Sequence, residues 1–512
     1  MADQEKTLEK APEIQSGTAA YSDHSGDDAV HHPNLDMTSW KYKKRRLGPI
    51  SIPYYASPEM QLFLVSIVCF LCPGMFNALS GLGGAGTTNT KTADDANTAL
   101  YATFAVVGFF AGTIANKLGL RISLSFGGLG YCIYCVSFLV DQFSDSYGFN
   151  IFAGFFLGCC AGILWCAQGT IMMSYPMEHQ KGRFISVFWI IFNLGGVLGS
   201  LIPLGANHNA KTNATVSVGT YVGFVVLTGL GAAMAFTLTD AKNVVRKDGS
   251  RIIVMKNPTW KSEILGLGQT FGTDPYIILM FPMFLVSNWF TAYQFNDINA
   301  AFFDTRTRSL NGLLYWFFQM VGALVFGFAL DYPGIKRTTK AKINWIVLMV
   351  MTMAVWGGGY AFQKRYTRAT QNEKLNPGAV FMDWTDHGYI GPMFLYLIYG
   401  FYDAAWQTSV YWYMGSLTNN SRKLANFAGF YKGIQSAGAA ITWVIDRTET
   451  PYMTTLAICW ALLAGSLVIA APVIGFKIKD TVSLEEDVKF SDETVEEVRG
   501  NSVTDLEHGQ KF

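Results

Sequence analysis

Residues 112–121 read "GTIANKLGLR" and residues 327–337 read "GFALDYPGIKR". Each begins with a glycine (Gly112, Gly327) and has an amide or acid four residues on (Asn116, Asp331), then a second glycine (Gly119, Gly334) and basic residues (Lys117 and Arg121; Lys336 and Arg337). Each also closes an apolar run long enough to cross a bilayer. Such a pattern suits a helix end: glycine lets two helices approach, the acid or amide caps free N–H groups, and the cations hold the polar side. One copy would be a loop. Two copies at equivalent places in two halves indicate an internal repeat.

Working outward, the 512 residues are 50% hydrophobic, 15% aromatic and only 15% charged, the balance of a polytopic membrane protein. Hydropathy predicts twelve spans, at 59–82, 93–115, 120–140, 148–174, 184–205, 217–239, 275–297, 310–330, 341–362, 389–414, 423–445 and 452–476. A second register overlays Gly158 and Gly162 of span 4 on Gly400 and Ala404 of span 10, and Asn193 of span 5 on Gln435 of span 11. The expected fold class is therefore all-α integral membrane, twelve transmembrane helices in two six-helix pseudo-repeat bundles. The expected organisation is a disordered cytosolic N-terminal tail (1–57), a first bundle (58–239), a cytosolic central loop (240–274), a second bundle (275–476) and an acidic cytosolic tail (477–512).

Lys and Arg concentrate in "KYKKRR" (41–46) and the central loop, which by the positive-inside rule makes both termini cytosolic in a multi-pass protein. The sequon "NAT" at Asn213 then faces the opposite side and is the glycosylation candidate; "NNS" at Asn419 does not. The basic segment "QKRYTRATQNEK" (363–374) is assigned outside against that rule, because moving it breaks the pattern elsewhere. No apolar signal-peptide core precedes span 1, which should act as an uncleaved anchor. All eight cysteines fall in apolar spans, including "CFLC" (69–72) and "CIYC" (132–135). On a helix that spacing places two small packing residues on one face, so neither metal nor disulfide is expected.

The two loop signatures resemble the motif between spans 2 and 3 of the major facilitator superfamily. Within it, "CFLCPGMFNALSGLGG", "YPMEHQKGRFIS", "NWFTAYQFNDINAAFF", "GFYDAAWQTSVYWYMGSLTNN" and "FAGFYKGIQSAGAA" resemble the fungal branch of the uncoordinated-93-like (Unc-93-like) family. The resemblance covers residues from about 57 to 477 and implies the major facilitator superfamily fold, with spans 1, 4, 7 and 10 lining a central cavity. It implies either a secondary active transporter of a small solute or ion by alternating access, or a non-transporting auxiliary, regulatory or trafficking subunit of another membrane protein. The chain departs from the superfamily motif at Asn116, where an aspartate is usual, and at Tyr332, where a basic residue is usual.

Inside the spans, Asp403 of "YGFYDAAWQT" and Lys432 of "FYKGIQSAG" lie at similar depth on consecutive helices and can pair. An unpaired charge at mid-bilayer costs at least ~2.5–3.5 kcal/mol, so a partner or a change of protonation is expected. The pair reads as a static bridge, as a substrate- or proton-responsive pair, or as snorkelling groups. Gln407 is one turn from Asp403, with Tyr399 and Trp406 flanking the same face, and Lys432 shares a face with Gln435 and Ser436. With the superfamily layout, further substrate or coupling candidates are Asn77 in span 1, Asn288, Thr291 and Asn296 in span 7, and either Trp165 or Gln168 in span 4. Amides in a bundle act as interhelical glue more often than as ligands. None of the seven histidines lies in a predicted span, and no P-loop, metal-ligand cluster or Ser-His-Asp set is present, so no enzyme is expected. The expected partners are the lipid bilayer, a small solute or ion and, on the auxiliary reading, a membrane-protein partner. No cofactor, metal or nucleic acid is expected.

Overall fold

The computed structural model describes residues 35–36, 38–47, 50–81, 90–144, 146–207, 218–253, 260–371 and 381–483. Twelve helical rods follow one another: span 1 (58–81), span 2 (Thr90–Leu118), span 3 (Leu120–Asp141), span 4 (Tyr147–Ser174), span 5 (Lys181–Asn207), span 6 (Val218–Ala235), span 7 (275–300), span 8 (Thr305–Leu330), span 9 (Arg337–Gln363), span 10 (Ile390–Leu417), span 11 (Ser421–Arg447) and span 12 (Tyr452–Phe476). Among the described residues, nine helices are long and apolar enough to cross a membrane by length and composition alone. Span 6 contributes a shorter apolar helix, Tyr221–Ala235, and spans 10 and 11 fall short of that apolarity although they are as long as the others. Those two carry Asp403, Gln407, Lys432 and Gln435, all buried. The glycosylation candidate Asn213 lies outside the described residues.

Local sequence sets the helix starts. Span 1 begins at Pro58, whose missing N–H is not needed there, and Ser57 accepts a bond from Met60 N at 3.2 Å. Asp304 caps span 8 through Thr307 N at 2.8 Å, and Asn420 caps span 11 through Arg422 N at 3.0 Å and Lys423 N at 3.2 Å. Gly119 and Gly334 adopt φ of 82° and 87°, positive values that L side chains avoid, so the two loop signatures share this requirement for glycine as well as a spelling. Span 7 is broken: 3₁₀ turns at Pro275–Met280 and Val286–Asn288 alternate with short α segments and end in a π segment, Tyr293–Ala300. Such irregular turns free backbone groups and mark functional segments.

In the first six spans, span 4 packs on spans 2 and 3, span 3 on span 6, and span 1 on spans 5 and 6; in the last six, span 8 packs on 10, span 9 on 12, and span 7 on 11. The seams between the halves are span 2 on span 11, span 5 on span 8, and span 4 on span 11. Glycines Gly154, Gly158 and Gly162 of span 4 lie against Ala96, Leu100 and Gly108 of span 2. At the span 2–11 seam, a Cβ on Gly108 would stand 2.8 Å from the Gly433 Cα, so backbone meets backbone.

The expectation of disorder over the whole of 1–57 is corrected for its final part. Strands Arg45–Leu47 and Ile50–Ile52 pair antiparallel. Tyr42 OH donates to Asn243 O at 2.8 Å and Tyr54 OH to Val245 O at 2.6 Å, tying the segment before span 1 to the linker after span 6. The linker itself contains a helix, Trp260–Thr273. The acidic tail is likewise ordered as far as residue 483: Arg337 Nε donates to Lys479 O at 2.6 Å, and Thr338 N to Asp480 Oδ1 at 3.0 Å.

Candidate functional site

Asp403 and Lys432 are both buried, and they do not pair directly, which corrects the sequence expectation. Two glutamines stand between them. Lys432 Nζ donates to Gln435 Oε1 at 2.8 Å, Gln435 Nε2 donates to Gln407 Oε1 at 3.2 Å, and Gln407 Nε2 donates to Asp403 Oδ1 at 3.3 Å. Every bond in this relay runs donor to acceptor from the ammonium towards the carboxylate, so the amide dipoles are aligned between the two charges. Aligned dipoles let a buried cation and anion stabilise each other at a distance where a bare pair would be weak.

The relay is fixed from three sides. Asn288, at the 3₁₀ break of span 7, accepts from Gln407 Nε2 at 2.9 Å and from Gln435 Nε2 at 3.0 Å through its Oδ1. Tyr431 OH donates to Gln407 Oε1. On the carboxylate, Tyr315 OH and Gln319 Nε2 of span 8 donate to Asp403 Oδ2 at 3.0 and 2.6 Å. Around the ammonium, the rings of Trp165, Tyr431 and Tyr411 have centroids at 4.6, 4.8 and 5.4 Å, a three-ring cation–π cage. Trp165 belongs to span 4, so Lys432 touches both halves of the molecule.

The structure thus brings together Asp403, Gln407, Asn288, Lys432 and Gln435. Of the two span 4 alternatives it selects Trp165; Gln168 donates to Met172 Sδ within its own helix. Trp406 turns to span 7, donating through Nε1 to Ser287 Oγ at 3.0 Å, and Tyr399 packs on Trp356 of span 9 with centroids 5.4 Å apart. The two aromatics, seven residues apart on one helix, share a face of span 10 and reach different neighbours from it, Trp406 towards span 7 and Tyr399 towards span 9. Thr291 bonds back to Asn288 O at 2.7 Å. Asn77 is half-buried in span 1, and no hydrogen bond joins it to the relay. Asn296 is drawn away to the far end of span 7, where it donates to Asp446 Oδ2 at 2.7 Å. Tyr315 and Gln319 escaped the sequence reading, although a glutamine one turn from a tyrosine in "LLYWFFQM" was the available signal.

The repeated loops meet the other half at the end of the bundle that carries the linker. Asp331 accepts from Gly182 N at 2.9 Å and Arg183 N at 2.6 Å, capping span 5 from the loop after span 8. Burial pushes its carboxyl up to about 6 against those two backbone donors. Lys181 Nζ donates to Gly415 O, to Thr418 O at 3.2 Å and to Asn419 Oδ1 at 2.7 Å, at the last carbonyls of span 10. Glu178 Oε1 accepts from Asn419 Nδ2 at 2.8 Å and lies 3.2 Å from Arg337 Nη1. Gly327 packs on Gly182, and Gly112 on Ala425 and Asn426 of span 11. Arg121 pairs with Asp240 at 3.8 Å on the surface. Asn116 and Lys117 close span 2, and Lys336 is the N-cap of span 9. The linker end is thus closed by contacts that cross between the halves.

Residues 62–443 match the family model described as Major Facilitator Superfamily. The chain is 49% identical over 480 residues to an UNC93-like protein of Schizosaccharomyces pombe, covering 94% of this chain and 92% of that protein. It is 39% identical over 428 residues to UNC93-like protein 1 of Arabidopsis thaliana, covering 83% and 92%. Among solved structures, the proton:xylose symporter XylE superposes with a TM-score of 0.60 at 11% identity, over 84% of this chain and 99% of that one. The transporter FucP in its outward conformation superposes with a TM-score of 0.58 at 11% identity, over 81% and 97%.

Proposed function

This chain belongs to the UNC93-like family of the major facilitator superfamily, and from that premise we propose that it is a secondary active transporter carrying a small solute or ion by alternating access. The observation that carries the reading is the relay from Lys432 through Gln435 and Gln407 to Asp403, buried where spans 7, 10 and 11 meet and touching span 4 through Trp165. A carboxylate and an ammonium joined by amides form a responsive unit: a solute that takes a bond from either glutamine, a proton gained by Asp403 or a proton lost from Lys432 removes the reason for the dipoles to align. Asp403, Lys432, Gln407, Gln435 and Asn288 are the proposed substrate and coupling residues, with Asn77 lining the first half. Trp406 braces the site against span 7, and Asn296 stands outside it, at the far end of that span. The loops at Gly112–Arg121 and Gly327–Arg337 act as the latch of the gate at the linker end. Both termini and that latch face the cytosol, and Asn213 faces the opposite side.

The test is flux and its pH dependence in cells or proteoliposomes, with the solute found by comparing metabolites and ions in cells lacking and overexpressing the protein. Asp403→Asn and Lys432→Met should each cut transport by about tenfold or more, the scale of a lost polar contact at a site. Wild-type flux and pH dependence in both variants would remove the role assigned to the relay and favour an auxiliary subunit instead.

A further inference from the structure

A second group of buried charge lies at the end of the bundle away from the linker, in the last six spans. Asp297, 1% exposed, sits on the π segment of span 7, and Asp446 is the penultimate residue of span 11. Between them stands Arg368, from the short helix Arg368–Gln371 that follows span 9. One guanidinium nitrogen, Nη2, donates to Asp297 Oδ1 at 3.1 Å and to Asp446 Oδ1 at 2.7 Å, so the two carboxylates can be no farther apart than those two bonds laid end to end. Arg368 is itself held, by Nε to Thr450 O at 3.0 Å and by the Tyr452 ring at 4.3 Å. Asn296 donates to Asp446 Oδ2 at 2.7 Å, and Tyr366 OH to the Asp297 carbonyl at 2.8 Å.

Charge does not balance in this group. Two carboxylates share one guanidinium, and the other titratable groups packed around Asp297 are Tyr293, Tyr366, Tyr452 and Cys459, which ordinarily carry no charge at neutral pH. A cleft of about 480 Å³ borders Arg368 and Tyr452, and the Lys364 and Glu449 side chains that also line it offset one another. Within the cluster, Asp297 Oδ2 is buried and has no hydrogen-bond partner, although the Thr455 hydroxyl and the Asp446 carboxyl lie beside its carboxyl group. A buried carboxylate oxygen with no donor of its own, in a group of two carboxylates and one guanidinium, is costly, and it indicates a missing positive ligand. Among the described residues no group of three or more His, Cys, Asp or Glu side chains could hold a metal ion, which argues against a divalent ion here.

We propose that Asp297 and Asp446 form a binding site for one small monovalent cation, an alkali ion or a proton, distinct from the central relay and opening at the end away from the linker. Asp297 Oδ2 is the open ligand position. Arg368 supplies the rest of the neutralising charge and so sets how strongly the site attracts its cation.

Thermal unfolding of the purified full-length protein tests this in three arms: sodium chloride against choline chloride, potassium chloride against choline chloride, and choline chloride from pH 7 to 9, above the window in which Asp331 titrates. The wild type should shift its midpoint by roughly 3 °C or more in at least one arm, the salt arms indicating an alkali ion and the pH arm a proton. Asp297→Asn and Asp446→Asn should abolish that shift, and Asp403→Asn, at the central relay, should keep it. Arg368→Gln should enlarge it, because the site then carries two uncompensated negative charges; a merely structural arginine would not do so. A wild-type midpoint unmoved in every arm overturns the proposal without any variant having to fold, as does a shift that survives in both Asn variants or fails to grow in Arg368→Gln.

Discussion

Lys432 reaches Asp403 only through amides, and that makes the two glutamines as consequential as the charges. Gln407→Leu would leave Asp403 Oδ1 and the Tyr431 hydroxyl without their partner in a buried site, a loss of about 1–3 kcal/mol in stability measurable by thermal unfolding. Lys432→Met alone strands a buried carboxylate and should cost about 3 kcal/mol or more, whereas Lys432→Met combined with Asp403→Asn should recover much of that loss. A double-mutant cycle on these two positions, showing no coupling, would reduce the relay to unrelated hydrogen bonds. Asp403, Lys432, Gln407, Gln435 and Asn288 were legible in the sequence because each is a polar residue in an otherwise apolar run. Trp165 stood only as one of two alternatives, and Tyr315 and Gln319 were not read at all. Their roles depend on how spans 4 and 8 are rotated about their axes, and hydropathy carries no information about that angle.

At the scale of elements, the repeated loops were recognisable by spelling, and both need glycine for the positive φ at Gly119 and Gly334. What those loops hold was not recognisable: the residues that cap, plug and pair at the latch come from spans 5, 9 and 10 and from the segments that follow spans 4, 8 and 10. Replacing Gly108 with Val would push a side chain into the Gly433 backbone at the span 2–11 seam and should destabilise the protein by about 1–3 kcal/mol in a denaturation series. The latch also titrates. Because Asp331 is lifted to about 6 from 3.8, the folded protein holds this proton more tightly than the unfolded chain. Its contribution is therefore full below pH about 4 and falls as pH rises towards about 6. Asp331→Asn should flatten the stability profile in that window, which a pH series of melting temperatures would show.

For the whole molecule, the two tails complete the closed end. The segment before span 1 is pinned to the linker through Tyr42 and Tyr54, and the segment after span 12 crosses to the first half where Val482 N donates to Glu178 Oε1 at 3.1 Å. Removal of residues 477–512 should loosen the linker end and raise the labelling of cysteines introduced along spans 4 and 10 there by severalfold; unchanged labelling would show that the strap carries no load. Composition and hydropathy by themselves determined that this is a membrane protein with twelve spans, and the repeated loops determined that it is built as two similar halves, because lipid demands long apolar helices and every helix end needs its caps. They also marked which polar residues lie within the bilayer. Only the tertiary structure decided which of those meet. Asp403 and Lys432 join through two amides rather than directly, while Asn296 leaves for a separate cluster with Asp297, Arg368 and Asp446. The physical reason is that burial of charge is settled by rotation and register between helices, which bring donors from spans 8 and 10 onto the Asp403 carboxylate and aromatic rings from spans 4, 10 and 11 around Lys432, and no run of residues along a single helix encodes that arrangement.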